Sequence, residues 1–227
     1  MIVSVHQPQY LPWLGYFHKI ANSDCFVFLD CVQYKKREFQ NRNRIRTKDG
    51  WVWLTVPVIS KDKENQLICQ VKINNDFPWQ RKHLNSIKLS YKEAPYFFSY
   101  IGFFEEMYSK KWLNLIDLNL AIINFLLEKF SIKTPIKFLS QLNIKSTKTE
   151  RIIEICKSLG ADTYLSGIGG KDYLDEELFK KNNIKLIYQE FKHPIYRQCY
   201  SPFISQLSAI DLLFNCGDGS IKILLGK

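Results

Sequence analysis

A histidine that leaves an apolar run through prolines is the first candidate for chemistry in this chain. In VSVHQPQYLPWLGYFHKI, residues His6, Gln7, Gln9, Tyr10 and Trp13 follow directly on the apolar residues near the start. Pro8 and Pro12 fix φ and restrict Gln7 and Leu11 before them, so the turn holds His6, Gln7 and Gln9 in few conformations. An imidazole exchanges protons near neutral pH, and restrained amides offer donors and acceptors at low entropic cost on binding. Tyr10, Trp13 and Tyr16 are read either as stacking surfaces for a ligand or as core packing.

A second stretch, DCVQYKKREFQNRNRIRTKDG, brings Asp30, Tyr34, Lys35, Lys36, Arg37, Asn41, Arg42, Asn43, Arg44, Arg46 and Lys48. Arginines at 42, 44 and 46 share one face if the segment is extended, a spacing that grips phosphate oxygens from a fixed direction. A solvated basic face is the alternative, although amides beside guanidinium groups suit a polar, phosphate-bearing ligand better than bulk water. A third stretch, SGIGGKDYLDEE, supplies Ser166, Gly167, Gly169, Gly170 and Lys171. Glycines and helix-start amides at a strand end form a generic anion cradle, with Lys171 as the neutralising charge. The pattern is neither the dinucleotide fingerprint nor the Walker loop, and a tight turn feeding a helix capped by Asp172 is the alternative.

Late in the chain, EFKHPIYRQCYSPF offers His193, Tyr196 and Arg197, with His193 restricted by the following proline. His6 and His193 are the acid-base candidates, whereas His18 and His83 fall in helical stretches and read as core or surface. No metal ligand set is expected: there is no H-E-x-x-H, and the six cysteines are scattered without zinc spacing. No Ser-His-Asp spacing or carboxylate pair stands out, which disfavours glycosidase chemistry.

These residues need elements to position them. Residues 2–5 and 25–29 read as strands around a short helix at 13–21, and the second is a continuous apolar run of the kind buried on both faces. Further on, a helix with its apolar face at Ile152, Ile153, Cys156 and Leu159 starts at a Thr147/Glu150 capping-box spacing and stops at Gly160. Strands at 163–166 and 184–188 flank the glycine turn and another helix. Strand-helix-strand units predict an α/β fold, mainly a parallel sheet flanked by helices, with the ligand crevice at the carboxyl ends of the strands. A small antiparallel pair is expected from residues 51–59 with 67–73, Pro57 marking an edge, and a helical insertion at 75–135. The whole, 1–227, is expected to be one α/β domain.

With 227 residues the chain can bury a core without disulfides, and the cysteines are read as reduced thiols of a cytoplasmic protein. No signal peptide or membrane span is expected, because the longest apolar run, 112–130, carries Asn114, Asp117, Asn119, Asn124 and Glu128. The formal net charge of +10 draws anions without choosing among nucleic acid, nucleotide and sugar nucleotide; oligomeric state is left open.

The stretches HQPQYLPWLGYFHKI, FVFLDCVQYKKREFQNRNRI, YLSGIGGKDYLDEELF, HPIYRQ and SAIDLLFNCG resemble the WbqC-like protein family, over nearly the whole chain. The resemblance implies a bacterial cytoplasmic protein encoded among genes for surface polysaccharides (O-antigen) and modified amino sugars. It further implies N-acylation or aminoacylation of a nucleotide-linked amino sugar, with either an acyl adenylate made from ATP and Mg or a ready-made acyl thioester as donor. The histidine and glycine turn also resemble adenylyl-forming α/β enzymes such as pantothenate synthetase, but the second histidine of their H-x-G-H pattern is missing here. The leading expectation is therefore an amide-forming enzyme in which the arginine stretch holds the pyrophosphate of a nucleotide sugar, Tyr10, Trp13 and Tyr34 stack on base or sugar, and His6 or His193 takes a proton. Its rivals are a nucleic-acid-binding protein using the basic 35–48 segment, the less favoured partner, and a non-catalytic partner of a glycosyltransferase.

Overall fold

The computed structural model describes residues 1–60 and 65–226. In chain order its elements are β1 (Ile2–His6), α1 (Leu14–Ala21), β2 (Cys25–Phe28), β3 (Arg42–Thr47), β4 (Gly50–Thr55), α2 (Trp79–Tyr91), α3 (Phe97–Ser109) and α4 (Leu115–Lys129). Then follow β5 (Ile136–Phe138), α5 (Lys148–Ser158), β6 (Thr163–Ser166), α6 (Glu176–Lys181), β7 (Lys185–Tyr188), α7 (Ile210–Cys216) and α8 (Ser220–Leu225). They divide into two compact units: Met1–Pro8, Gly15–Val32 and Ile132–Lys192 form one, and Gln9–Leu14, Gln33–Ser131 and His193–Lys227 the other.

The first unit holds a five-stranded sheet in the order β5-β2-β1-β6-β7, with every pairing parallel. Alternation along β1 explains its two-sided burial. Val3 and Val5 join Val27 in a core with Ile152, Ile153 and Cys156 of α5 and Phe179 of α6. Ser4 and His6 point to the opposite face, where Tyr16 of α1 packs edge-on against His6 and Phe26. Each fully buried aromatic or branched side chain contributes about 2 kcal/mol, enough to hold a sheet whose strands are only three to five residues long. The chain runs from β1 through α1 to β2 on one side, and from β6 through α6 to β7 on the other. β1 and β6 are neighbours, with Val3 opposite Tyr164, so the winding reverses between them.

Two local expectations change here. Thr147 precedes α5 without a side-chain capping bond, so the anticipated box with Glu150 does not form. Asp172 does not start a helix either: Ile168–Asp172 is a tight 3-10 turn, and Asp175 caps α6 by accepting the Leu178 N–H at 3.0 Å. The stop at Gly160 stands, with φ +67°. The three-residue β5 escaped notice because a segment so short carries no period.

The second unit contains an antiparallel ribbon, β3 with β4, in register from Arg42 opposite Thr55 to Thr47 opposite Gly50. Residues 51–59 therefore pair chiefly with the arginine stretch and not with 67–73, which curl into a 3-10 turn at Ile68–Gln70 and meet the former only at the bridge Val58–Ile73. A two-residue hairpin closes a far smaller loop than the pairing expected from the sequence. The helices α2, α3 and α4 fall in the stretch expected to be helical, and Phe214 of α7 is fully buried among Tyr91, Phe97, Tyr100 and Phe104.

Asp211 of α7 lies in this apolar setting, accepting from the Tyr196 hydroxyl and the Gln198 amide at 2.8 Å each. Burial outweighs those bonds and pushes its carboxyl up to about 6. Because the folded chain keeps this proton to higher pH than the unfolded chain does, stability falls as pH rises from about 4 to 6, and the cost is full above that. Asp211→Asn is expected to flatten that part of the profile by about 2 kcal/mol, read from urea midpoints of variant and parent at the two ends of the window.

Candidate functional site

Where winding reverses in an open parallel sheet, the strand ends leave a crevice that neighbouring connections do not fill. Here that place is the carboxyl edge between β1 and β6, and the sequence puts His6 on one side and Ser166, Gly167, Gly169 and Gly170 on the other. The His6 ring is half-buried; its Nδ1 lies 3.1 Å from the Gln7 carbonyl. A carbonyl only accepts, so Nδ1 carries the hydrogen and Nε2 keeps the lone pair. The Tyr16 hydroxyl donates to the same carbonyl at 3.1 Å, which locks the first residue after the strand.

An imidazole that exchanges protons near neutrality was expected here, and burial moves His6 out of that range. Burial, and then the charge of Lys19, lower His6 to about 3, so the imidazole stays neutral at any physiological pH. Lys19 was missed. It projects from α1 into the interior, donating to the Val5 carbonyl at 3.0 Å, and only 4% of it is exposed. A lysine between Phe17 and Ile20 on an apolar helix stripe, in a helix with no acidic residue in its first turn, was the available signal.

The glycine turn is tight at one position. A Cβ on Gly170 would lie 2.0 Å from Ser166 Oγ, whereas one on Gly169 would meet nothing within 4 Å. Ser166 is buried and donates to the Gly167 carbonyl at 3.0 Å, so it shapes the turn. Lys171 is exposed, 5.1 Å from the centre of the Tyr188 ring. At the end of β7, Gln189 donates to the Gly15 carbonyl and lies 2.9 Å from His18 Nδ1, fixing the start of α1. Asp30, beyond β2, is spent on the Ser140 N–H and hydroxyl at 3.0 and 2.6 Å and caps a 3-10 turn.

In the second unit the predicted residues separate into structural and exposed groups. Tyr10 is fully buried, its hydroxyl bonded to Tyr108 and to His83 Nδ1, so it is core and not a stacking surface. Asn43 donates to the Leu11 carbonyl at 2.7 Å and accepts the Arg44 N–H, and Asn41 donates to the Val56 carbonyl; both satisfy buried backbone instead of a ligand. Tyr34 is also buried, which pushes its hydroxyl to about 12. Gln9 is buried with Oε1 lacking a donor among the described residues. Trp13 is half-buried and bridges to Ser208.

His193 is half-buried, its Nδ1 2.9 Å from the Pro194 carbonyl and its ring against Tyr196 and Phe203; burial lowers its pKa. Tyr196 is committed to Asp211, while Arg197, Lys35 and Arg37 are exposed. On the ribbon, Arg42 stacks over Trp53 at 4.2 Å and Arg44 over Trp51 at 4.9 Å. Trp51 is 44% and Phe39 37% exposed. Two guanidinium groups thus lie on two indoles, each charge held against an aromatic face. Arg46, expected beside them, is instead buried in structural bonds.

Among the described residues no group of His, Cys, Asp or Glu could hold a metal ion, and no helix is long and apolar enough to cross a membrane. The sequence model described as the WbqC-like protein family matches residues 7–223. A protein of Mycobacterium tuberculosis strain H37Rv, Uncharacterized protein Rv1507c, is 32% identical over 217 residues, which cover 95% of this chain and 94% of that protein. No solved structure matches. The family match begins at Gln7, directly after β1, and takes in the ribbon and the glycine turn; the chain belongs to the WbqC-like protein family.

Proposed function

We propose that the chain is a cytoplasmic enzyme of surface-polysaccharide biosynthesis that forms an amide on a nucleotide-linked amino sugar. The observation that carries this is the edge between β1 and β6, where a neutral histidine and a glycine turn border one reversal point of the sheet. In the reaction the amine attacks an acyl carbonyl and a C–N bond forms; the acyl bond to adenylate or thiolate breaks with its electrons on the leaving group, and the proton shed by the nitrogen passes to the departing thiolate or, with adenylate, to solvent. The attacking form is the free base, a substantial fraction of an amine whose pKa is near about 8. His6, with Nε2 unprotonated, accepts a hydrogen bond from that amine and orients it.

The direct test incubates the protein with amino-sugar nucleotides and either ATP, Mg and carboxylic or amino acids, or acyl thioesters, and follows product mass. A new amide, with turnover by His6→Ala reduced by about 100-fold, supports the proposal. No amide from any donor, together with a His6→Ala protein that binds these nucleotides as the parent does, would remove it.

The Arg42–Trp53 and Arg44–Trp51 stacks favour a second reading, single-stranded nucleic acid on the ribbon. Aromatic platforms with nearby cations bind bases without reading their sequence. That reading expects RNA retention on filters to collapse as salt rises, since each neutralised phosphate releases counterions. The enzyme reading expects a nucleotide sugar to bind with little preference for polymers.

A further inference from the structure

Lys19 has no electrostatic reason to be buried. One carbonyl, that of Val5, accepts from its Nζ, and a neutral acceptor does not compensate an ammonium taken out of water. None of the ion pairs among the described residues involves it. The charges and titratable groups on the surrounding elements do not answer it either. On β1, His6 is neutral and is itself depressed by the lysine. On α1, the Tyr16 hydroxyl is bonded to the Gln7 carbonyl and His18 contacts Gln189. After β2, both Asp30 oxygens are taken by Ser140. After β6, Ser166 is spent on the turn, and Lys171 is exposed against Tyr188.

Geometry indicates where the missing negative charge comes from. Val5 lies one residue before the end of β1, and Lys19 Nζ is 3.9 Å from where a Cβ on Gly167, the first residue after β6, would stand. The ammonium therefore lies between the two strand ends that form the reversal point. We propose that Lys19 is the anion anchor of this site, its ammonium binding a phosphoryl group of the ligand. This rests on the reversal point being the ligand site and does not require amide formation.

Two consequences separate an anchor from a structural lysine. Burial holds Lys19 down to about 7 in the free protein, and an anion at Nζ raises that value. Above about pH 7 binding then takes up a proton, and affinity falls as pH rises. An uncompensated buried charge also burdens the free fold, so its removal raises thermal stability while it weakens binding.

The test is titration calorimetry with inorganic pyrophosphate, uridine diphosphate and acetate, at about pH 6 and about pH 8 in buffers of different ionisation heat. The parent is expected to bind the phosphoryl probes more tightly than acetate and to take up about one more proton than Lys19→Met at the higher pH. Lys19→Met is expected to bind them about 100-fold more weakly and to melt at a higher temperature. Unchanged phosphoryl affinity in Lys19→Met overturns the anchor, as do tighter binding of acetate and a parent that binds neither phosphoryl probe. If Lys19→Met does not fold, Lys19→Gln is judged by the same outcomes. Amide formation is decided by its product assay: its absence, with the lysine-dependent pyrophosphate binding intact, ends only the wider reading.

Discussion

Replacing Arg46 by alanine is expected to destabilise the ribbon-bearing unit by about 3–5 kcal/mol, measured by denaturant unfolding. The guanidinium is 1% exposed. Its Nη1 donates to the Thr47 and Gly50 carbonyls at 2.8 and 2.7 Å, and its Nη2 to the Pro202 carbonyl at 2.8 Å. The side chain thus fastens the β3–β4 turn to a loop far away in sequence, and alanine leaves three carbonyls without that donor. Its charge also favours the ionised form of the buried Asp211, so the carboxyl should titrate higher still in the variant. Arg46→Lys should recover only part of the loss, because an ammonium lacks the planar fork that reaches three acceptors. Arg42→Ala and Arg44→Ala, which give up mainly stacking on tryptophan, should each cost about 0.5–1 kcal/mol. Similar losses for all three would mean that Arg46 carries no special structural load.

The second large effect is expected at one of two adjacent glycines. In Gly170→Ala the new Cβ meets Ser166 Oγ at 2.0 Å, Leu174 Cδ1 at 3.0 Å and Ser166 Cβ at 3.2 Å. Ser166 is buried at the end of β6, so its hydroxyl must give up the Gly167 carbonyl or the turn must move. The expected cost is about 3 kcal/mol, the upper range for overpacking, with loss of phosphoryl binding at the reversal point. Gly169→Ala adds a methyl to open space and should stay within about 0.5 kcal/mol of the parent. Melting temperature and pyrophosphate affinity, measured on both variants, make the comparison. Equal behaviour of the pair would show that the turn is not shaped by the Ser166–Gly170 approach.

Much of the parallel sheet was legible in the sequence, because its evidence is local. The run at 25–29 is apolar throughout as a strand covered on both faces must be, and the helix of Ile152, Ile153 and Cys156 shows its period within three turns. The position of His6 at the end of β1 followed from the same pattern. The ribbon was less visible, since Arg42, Asn43, Arg44 and Arg46 are polar on both faces, and a half-buried strand is recognised by apolar alternation. Its buried side is satisfied by hydrogen bonds instead: Asn43 serves Leu11, and Arg46 serves Pro202.

The amino-acid sequence by itself determined the α/β class, the histidine after the first strand, the glycine bend after a later one and the family. Tertiary structure alone decided which polar groups are spent on the backbone and which retain unanswered charge. Arg46 and Asn43 fell into the first class, and Lys19 into the second. The reason is that desolvation depends on atoms brought from distant parts of the chain: Lys19 is buried by packing α1 against β1 and lies beside Gly167 because β6 is the strand next to β1. A residue's type sets the charge it can carry, whereas its neighbours in space set the free-energy cost of carrying it.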